Sequence, residues 1–213
     1  FRFDNTHLEI GAADDVAADF SGARMLDFKH PEVREERFAL IEETLTRYPV
    51  DGFELQLNYG LHYFHPREID AGRAIMSDWI ERVYRAVKAS GKNRELVIRV
   101  PASLAGCQGM GLDVREWLRR GIVDVLVAQS HAYGELLDQN AEFEPFVAAA
   151  ADTATRVHAA IQSRVDSDRL GDATTEMIRA AATNAWDQGV DGLYLVHWFG
   201  YWPYQSEFYE KLR

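Results

Sequence analysis

A carboxylate and an amide share one side of a short apolar segment in the first third of the chain. Polar and apolar residues alternate through Phe53-Glu54-Leu55-Gln56-Leu57, which is the period of a β-strand. The apolar side chains suit a layer of helices, so we expect Glu54 and Gln56 to face the opposite side. A carboxylate on an inner face is costly unless it is hydrogen-bonded or functional. Glu54 is therefore a candidate general acid/base, and an ion pair with Arg99 of the next strand is an equally good and compatible interpretation.

Polar residues also end the other apolar segments. Arg99 lies where it can orient a carboxylate or bind a hydroxyl group, although a purely structural ion pair is favoured as its single role. Amide and imidazole side chains suit a polyhydroxylated ligand, because each hydroxyl both donates and accepts hydrogen bonds. The candidate ligand-binding residues at these segment ends are Gln56, Arg99, Gln129, His131, Gln162 and His197.

Aromatic residues follow two of the same segments. Tyr59 comes shortly after Gln56, and Trp198 and Tyr201 come after the last apolar segment. Aromatic faces stack on the C–H surfaces of sugar rings, so these three rings are candidates for a sugar platform. The alternative is that such rings only fill the end of the fold.

A repeated Val-Asp pair marks where the strands begin. It occurs at Val50-Asp51, Val123-Asp124 and Val190-Asp191, each time before a short apolar strand. We expect these aspartates to be turn and capping residues rather than catalytic ones. Two further strands are predicted over 95–100 and 156–162. Amphipathic helices are predicted over 31–48, 71–89 and 113–120 and from Asp172 towards Gly189, with Trp186 on the apolar face of the last one.

Strands that alternate with helices at this spacing predict an α/β fold with parallel strands and helices outside the sheet. A (β/α)8 TIM-type barrel is favoured over a doubly wound sheet, because no Gly-rich phosphate loop occurs and polar residues end every strand. A whole barrel takes about 250 residues, whereas this chain has 213. We therefore expect a single barrel domain over 1–213 that is its C-terminal portion, with five to six βα units, the first of them represented by Met25–Phe28 as the end of an earlier strand.

Composition excludes several classes of partner. The net charge of −11 argues against nucleic acid and anionic membranes, which need clustered Lys and Arg. No run of about 18 apolar residues occurs, and the single cysteine, Cys107, excludes an internal disulfide. The histidines show neither His-x-His nor His-Glu-x-x-His spacing, so we expect no metal and no other cofactor. Compartment and oligomeric state stay open.

Two adjoining segments resemble one family. Leu-Asp-Phe-Lys-His-Pro-Glu-Val-Arg at 26–34 and Tyr-Pro-Val-Asp-Gly-Phe-Glu-Leu at 48–55 resemble the bacterial family 10-like glycoside hydrolases, as do 111–117 and 190–195. The resemblance implies a barrel that hydrolyses a glycosidic bond of a poly- or oligosaccharide, with Glu54 as the strand-end acid. Such enzymes usually need two carboxyl groups. The penultimate strand, where many barrel glycosidases carry the nucleophile, ends here in Gln162. The second carboxylate could instead come from neighbouring strand ends and loops, from Asp27, Glu135, Asp166 or Asp168, and Asp27 is our choice among these.

Two other functions compete with hydrolysis by paired carboxylates. Gln162 in place of an acid favours a non-catalytic carbohydrate-binding barrel that keeps the polar, aromatic mouth. A metal-dependent barrel hydrolase is the third hypothesis, with Glu54 and histidines drawn from His62, His65, His131 and His197.

Overall fold

The computed structural model describes residues 1–11, 22–59, 62–130, 136–165, 171 and 173–196. Its centre is one parallel sheet of five strands in the order of the chain: β1 (Gly52–Gln56), β2 (Glu95–Pro101), β3 (Val125–Gln129), β4 (Arg156–Gln162) and β5 (Gly192–Val196). The sheet curls into a half-barrel, so that a side chain of β1 meets one of β5 across the concave face.

Helices fill every connection between the strands. They are α2 (Ile69–Ser90), α3 (Leu104–Gly109), α4 (Val114–Arg120), α5 (Glu144–Ala150) and α6 (Thr175–Asp187), and α1 (Pro31–Arg47) precedes β1. Local sequence sets the ends of α4: the Asp113 side chain accepts the backbone N–H of Glu116 at 3.2 Å, and Gly121 ends the helix at a φ of 64°. The Glu116 carboxylate pairs with Arg119 and Arg120 instead of closing a capping box.

Strand alternation divides the core into two layers. The convex face carries the larger apolar side chains, among them the fully buried Leu96, Ile98 and Leu126, which pack in one cluster with the helices. The concave face has a smaller apolar cluster that includes Val125 and Val127. The concave layer is thin and apolar near the strand starts, and polar side chains take over towards the strand ends.

All five predicted strands and the first three predicted helices are confirmed. The last helix begins later than expected, at Thr175, where the Thr174 hydroxyl caps it. Trp186 was expected on the apolar face of this helix, but 49% of the residue is exposed, whereas Ile178 and Ala182 are buried. Within the described residues, no helix is long and apolar enough to cross a membrane.

We expected Met25–Phe28, the segment before α1, to be the end of an earlier strand of the sheet. In the structure this segment does not belong to the sheet. Leu26 instead forms an isolated antiparallel bridge with Glu9. The Ile10 N–H donates to the Met25 carbonyl at 2.8 Å, and the Asp27 N–H donates to the Leu8 carbonyl at 2.9 Å. The backbone of this segment is thus satisfied by the N-terminal residues, which the sequence pattern did not indicate.

Candidate functional site

An ion pair lies at the centre of the concave face. The Arg99 guanidinium binds Oε1 of Glu54 through Nε at 2.9 Å and through Nη2 at 2.7 Å. The arginine side chain is 9% exposed and the glutamate side chain 30% exposed. The pairing predicted from the sequence is therefore present.

Tyr194 of β5 holds the other oxygen of the same carboxylate. Its hydroxyl donates to Oε2 of Glu54 at 2.9 Å, and its ring lies 4.7 Å from the guanidinium carbon of Arg99, a cation–π contact. Burial, followed by the hydrogen bond to Glu54, raises the pKa of Tyr194. The phenol is therefore a neutral donor that fixes the carboxylate from the opposite side of the half-barrel.

Amide side chains extend this network along the strand ends. Gln129 is fully buried, and its Oε1 accepts hydrogen bonds from Arg99 Nη1 at 3.3 Å and from Asn58 Nδ2 at 2.7 Å. Asn58 is itself buried. The network thus joins the ends of β1, β2 and β3. It also fixes the orientation of the Gln129 amide, whose oxygen faces Arg99.

Two of the buried amides keep hydrogen-bonding capacity. Within the described part of the chain, Gln129 Nε2 and both polar atoms of Gln162 have no hydrogen-bond partner, although Gln162 is only 3% exposed. An unsatisfied buried polar group costs about 1–3 kcal/mol. Hydroxyl groups of a ligand, or water, satisfy such groups, so the ends of β3 and β4 have the chemistry of a polar binding site.

The remaining sequence-predicted residues divide into two groups. Gln56 is exposed at the end of β1, and Tyr59, just beyond it, is 44% exposed, so both are accessible at the rim. The other candidates lie outside the described residues; they are His131, His197, Trp198 and Tyr201.

Asp27 makes its side-chain contacts with Lys29. It is fully buried, its Oδ1 accepts the backbone N–H of Lys29 at 2.9 Å, and its Oδ2 lies 3.4 Å from the Lys29 ammonium. Burial raises the pKa of Asp27 against the opposing effect of Lys29. In the described structure Asp27 and Glu54 share no polar partner, while Leu26 and Phe28, the neighbours of Asp27, line the same cavity as Glu54. The other candidates for the second carboxylate, Glu135, Asp166 and Asp168, lie outside the described residues.

Sequence reasoning missed Tyr194 and Asn58. Tyr194 alternates with Leu193 and Leu195, which places it on the same face as the polar residues of the other strands. That signal was available, whereas the position of Asn58 depends on how the chain leaves β1.

The arrangement offers a fixed anionic carboxylate beside neutral amides. Such a carboxylate can stabilise a developing positive charge, accept a proton or attack an electrophilic carbon.

No group of three or more His, Cys, Asp or Glu side chains that could hold a metal ion occurs among the described residues. No protein-family model and no curated protein matches this sequence.

Proposed function

We propose that this chain is part of a glycoside hydrolase that acts on a poly- or oligosaccharide at the C-terminal face of a parallel barrel. The observation that carries the proposal is the Glu54 carboxylate on the concave face, held by Arg99 and Tyr194 and still 30% exposed. A carboxylate fixed in this way is oriented before substrate binds, which is what transition-state stabilisation requires. The resemblance of 26–34 and 48–55 to family 10-like glycoside hydrolases supports the barrel fold of the proposal more than its reaction.

The curl of the sheet supports a complete (β/α)8 barrel as the parent fold. Glu54 on β1 and Tyr194 on β5 touch across the concave face. In an eight-stranded barrel, strands four positions apart lie opposite each other, and the interior is just wide enough for side chains to fill. A contact between the first and fifth strands fits that diameter, so about three further strands would close the barrel.

The partners of Glu54 favour particular catalytic roles. Glycosidic bonds break through an oxocarbenium-like transition state, and an anionic carboxylate stabilises its positive charge. Arg99 and Tyr194 hold one oxygen each of Glu54, and Glu54 is the proposed general acid/base. Asp27 stays the proposed second carboxylate; it is completely buried, and burial raises its pKa.

Substrate hydroxyls are proposed to bind the amides at the strand ends. Gln129 and Gln162 offer buried groups without partners in the described residues, and Gln56 and Tyr59 lie accessible at the rim. A hydroxyl that satisfies a buried amide contributes more than one bound at an open surface, because the amide is otherwise left unpaired. The proposed site also includes His131, His197, Trp198 and Tyr201.

The test is reducing-sugar release from a panel of polysaccharides by the unsubstituted chain and by Glu54→Gln. Glu95→Gln is the matched control, because Glu95 is also a strand carboxylate paired with an arginine, Arg156, at 2.6 Å, but at the start of β2. We expect the control to retain activity and Glu54→Gln to lose at least about 100-fold. Retained activity in a folded Glu54→Gln protein would contradict the assignment.

A non-catalytic carbohydrate-binding barrel is the second candidate. Both oxygens of Glu54 already accept hydrogen bonds from protein donors, and the described site contains no second carboxylate bound to the same partners. Calorimetric titration with oligosaccharides separates the two functions. Sugar binding without turnover, and with the same affinity in Glu54→Gln, would favour the binding protein.

A further inference from the structure

Two strand-start aspartates make the same pair of hydrogen bonds. The Asp124 N–H donates to the Leu96 carbonyl at 3.1 Å, and the Asp124 carboxylate accepts the Leu96 N–H at 2.7 Å. The Asp191 N–H donates to the Val157 carbonyl at 2.8 Å, and its carboxylate accepts the Val157 N–H, also at 2.8 Å. In both cases the partner is the second residue of the neighbouring strand that precedes the aspartate in the chain. The Val-Asp repeat is thus a device that fixes one parallel strand to the start of the next.

Asp51 occupies the same position at the start of β1. It lies in Val50-Asp51-Gly52, which matches Val190-Asp191-Gly192 residue for residue. Asp51 is exposed, and within the described residues neither its N–H nor its carboxylate has a hydrogen-bond partner. The device is therefore present at β1 without the strand that it fixes elsewhere.

The outer edge of β1 carries backbone groups of the same kind. Leu57 donates its N–H to Arg99, and β1 pairs with β2 through the register Glu54↔Val97 to Gln56↔Arg99. Because both backbone groups of a strand residue point to one side and alternate along the strand, those of Glu54 and Gln56 point away from β2. Among the described strands, none lies on that side.

A cavity with a mainly apolar wall adjoins the same edge. It has a volume of about 430 Å³, and its wall includes Phe53 and Leu55 of β1, Leu40 of α1 and Met25, beside the polar Glu54 and Gln56. Leu40 is 49% exposed and Met25 37% exposed. A neighbouring strand would bring apolar side chains over these residues, as β2 does for the convex face beside it.

We propose that the outer edge of β1 binds a parallel strand from another βα unit of the same polypeptide, and that Asp51 accepts the backbone N–H of the second residue of that strand. The aspartate device joins parallel neighbours only, which excludes a symmetric edge-to-edge pair of β1 strands, since these would run antiparallel. A second copy whose sheet continued this one in parallel would add five strands, whereas closing an eight-stranded barrel needs about three. A second copy therefore does not fit. The proposal rests on the barrel and not on its catalytic chemistry.

The test compares Asp51→Ala with Asp191→Ala in two proteins, the 213-residue chain and the polypeptide that the gene encodes in full. Asp191→Ala is the matched control, because its hydrogen bonds are present in both. We expect Asp191→Ala to lower the thermal midpoint of both proteins by roughly 5 °C. Asp51→Ala should do so in the full polypeptide and leave the midpoint of the 213-residue chain unchanged.

Hydrogen exchange of the unsubstituted proteins gives a second readout that needs no variant to fold. The Glu54 and Gln56 amides should exchange quickly in the 213-residue chain and slowly in the full polypeptide, whereas the Leu55 amide should be slow in both. The proposal is overturned if Asp51→Ala is neutral in the full polypeptide, if the gene encodes no further βα unit, or if the edge amides are equally protected in both proteins. Oligomers of the 213-residue chain that dissociate on Asp51→Ala would assign the edge to a second copy instead. Neither readout depends on turnover, so an inactive enzyme leaves the result intact.

Discussion

Replacing Arg99 with methionine removes the guanidinium at the centre of the concave face and keeps most of the side-chain volume. Two hydrogen bonds are lost, one to Glu54 Oε1 at 2.9 Å and one to Gln129 Oε1 at 3.3 Å, together with the ion-pair contact between Nη2 and Glu54 Oε1 at 2.7 Å. Glu54 is left with Tyr194 as its remaining described donor. The substitution therefore leaves a carboxylate on the inner face without its countercharge.

The magnitude follows from how far water reaches the pair. Breaking a fully buried pair by removing one partner costs about 3–5 kcal/mol. Arg99 is nearly that buried, at 9% side-chain exposure, but 30% of the Glu54 side chain is exposed, so water recovers part of the loss. We expect Arg99→Met to reduce the free energy of unfolding by about 2–3 kcal/mol, which lowers the thermal midpoint by about 5–10 °C.

The assay is a double-mutant cycle with Glu54→Gln, measured by urea unfolding. Because Glu54→Gln removes the charge that Arg99→Met leaves unpaired, the double variant should be more stable than the sum of the single losses allows, by about 1–2 kcal/mol. A loss of less than about 0.5 kcal/mol in Arg99→Met, or strict additivity in the cycle, would refute the reasoning.

Three further predictions follow from single contacts. Tyr194→Phe keeps the ring on Arg99 and removes the hydrogen bond to Glu54, so the free energy of unfolding should fall by about 1.5–3 kcal/mol. An unchanged urea midpoint would show that this hydrogen bond does not stabilise the protein. Burial raises the pKa of the Cys107 thiol to about 12, so a thiol reagent should label it only after unfolding. Because the unfolded thiol ionises near 9.0, the free energy of unfolding should fall as the pH rises from there towards 12, and this fall should be absent in Cys107→Ser. Labelling of the native protein would contradict the burial of the thiol. The raised pKa of Asp27 means that its ionisation opposes folding above that pKa, so Asp27→Asn should raise the thermal midpoint at pH 7. A lower midpoint would show that the Lys29 pair outweighs burial, and lost turnover in the stable variant would support a catalytic role.

Most of the fold could be predicted because its signals are local. Alternation within each strand, the Val-Asp repeat and the spacing of apolar residues in α1 and α2 each depend on a few neighbouring residues. The short helices α3 and α5, of 6 and 7 residues, were not predicted, because neither is long enough to show a helical period. The spacing of Trp186 is helical and predicts the helix face on which it lies. It does not predict whether the sheet extends far enough to cover that part of the helix.

The candidate site could be predicted in part, for a related reason. Glu54 and Arg99 belong to adjacent strands, so strand order alone brings them together. Tyr194 reaches Glu54 across 140 residues, and this contact requires the curl of the whole sheet, which no short pattern contains. Asn58 and Gln129 are similarly 71 residues apart. Asp27 was assigned on the assumption of an earlier strand, and the N-terminal residues pair with that segment instead.

Chemical rescue of Glu54→Ala tests the central claim most directly. The substitution removes the carboxylate and leaves a space beside Arg99 and Tyr194 that a formate ion can occupy. We predict that turnover of an oligosaccharide disappears in Glu54→Ala and returns in part with added formate, which leaves the unsubstituted protein unaffected. If Glu54→Ala without formate turned over substrate as fast as the unsubstituted protein does, the claim that this carboxylate carries the reaction would be contradicted.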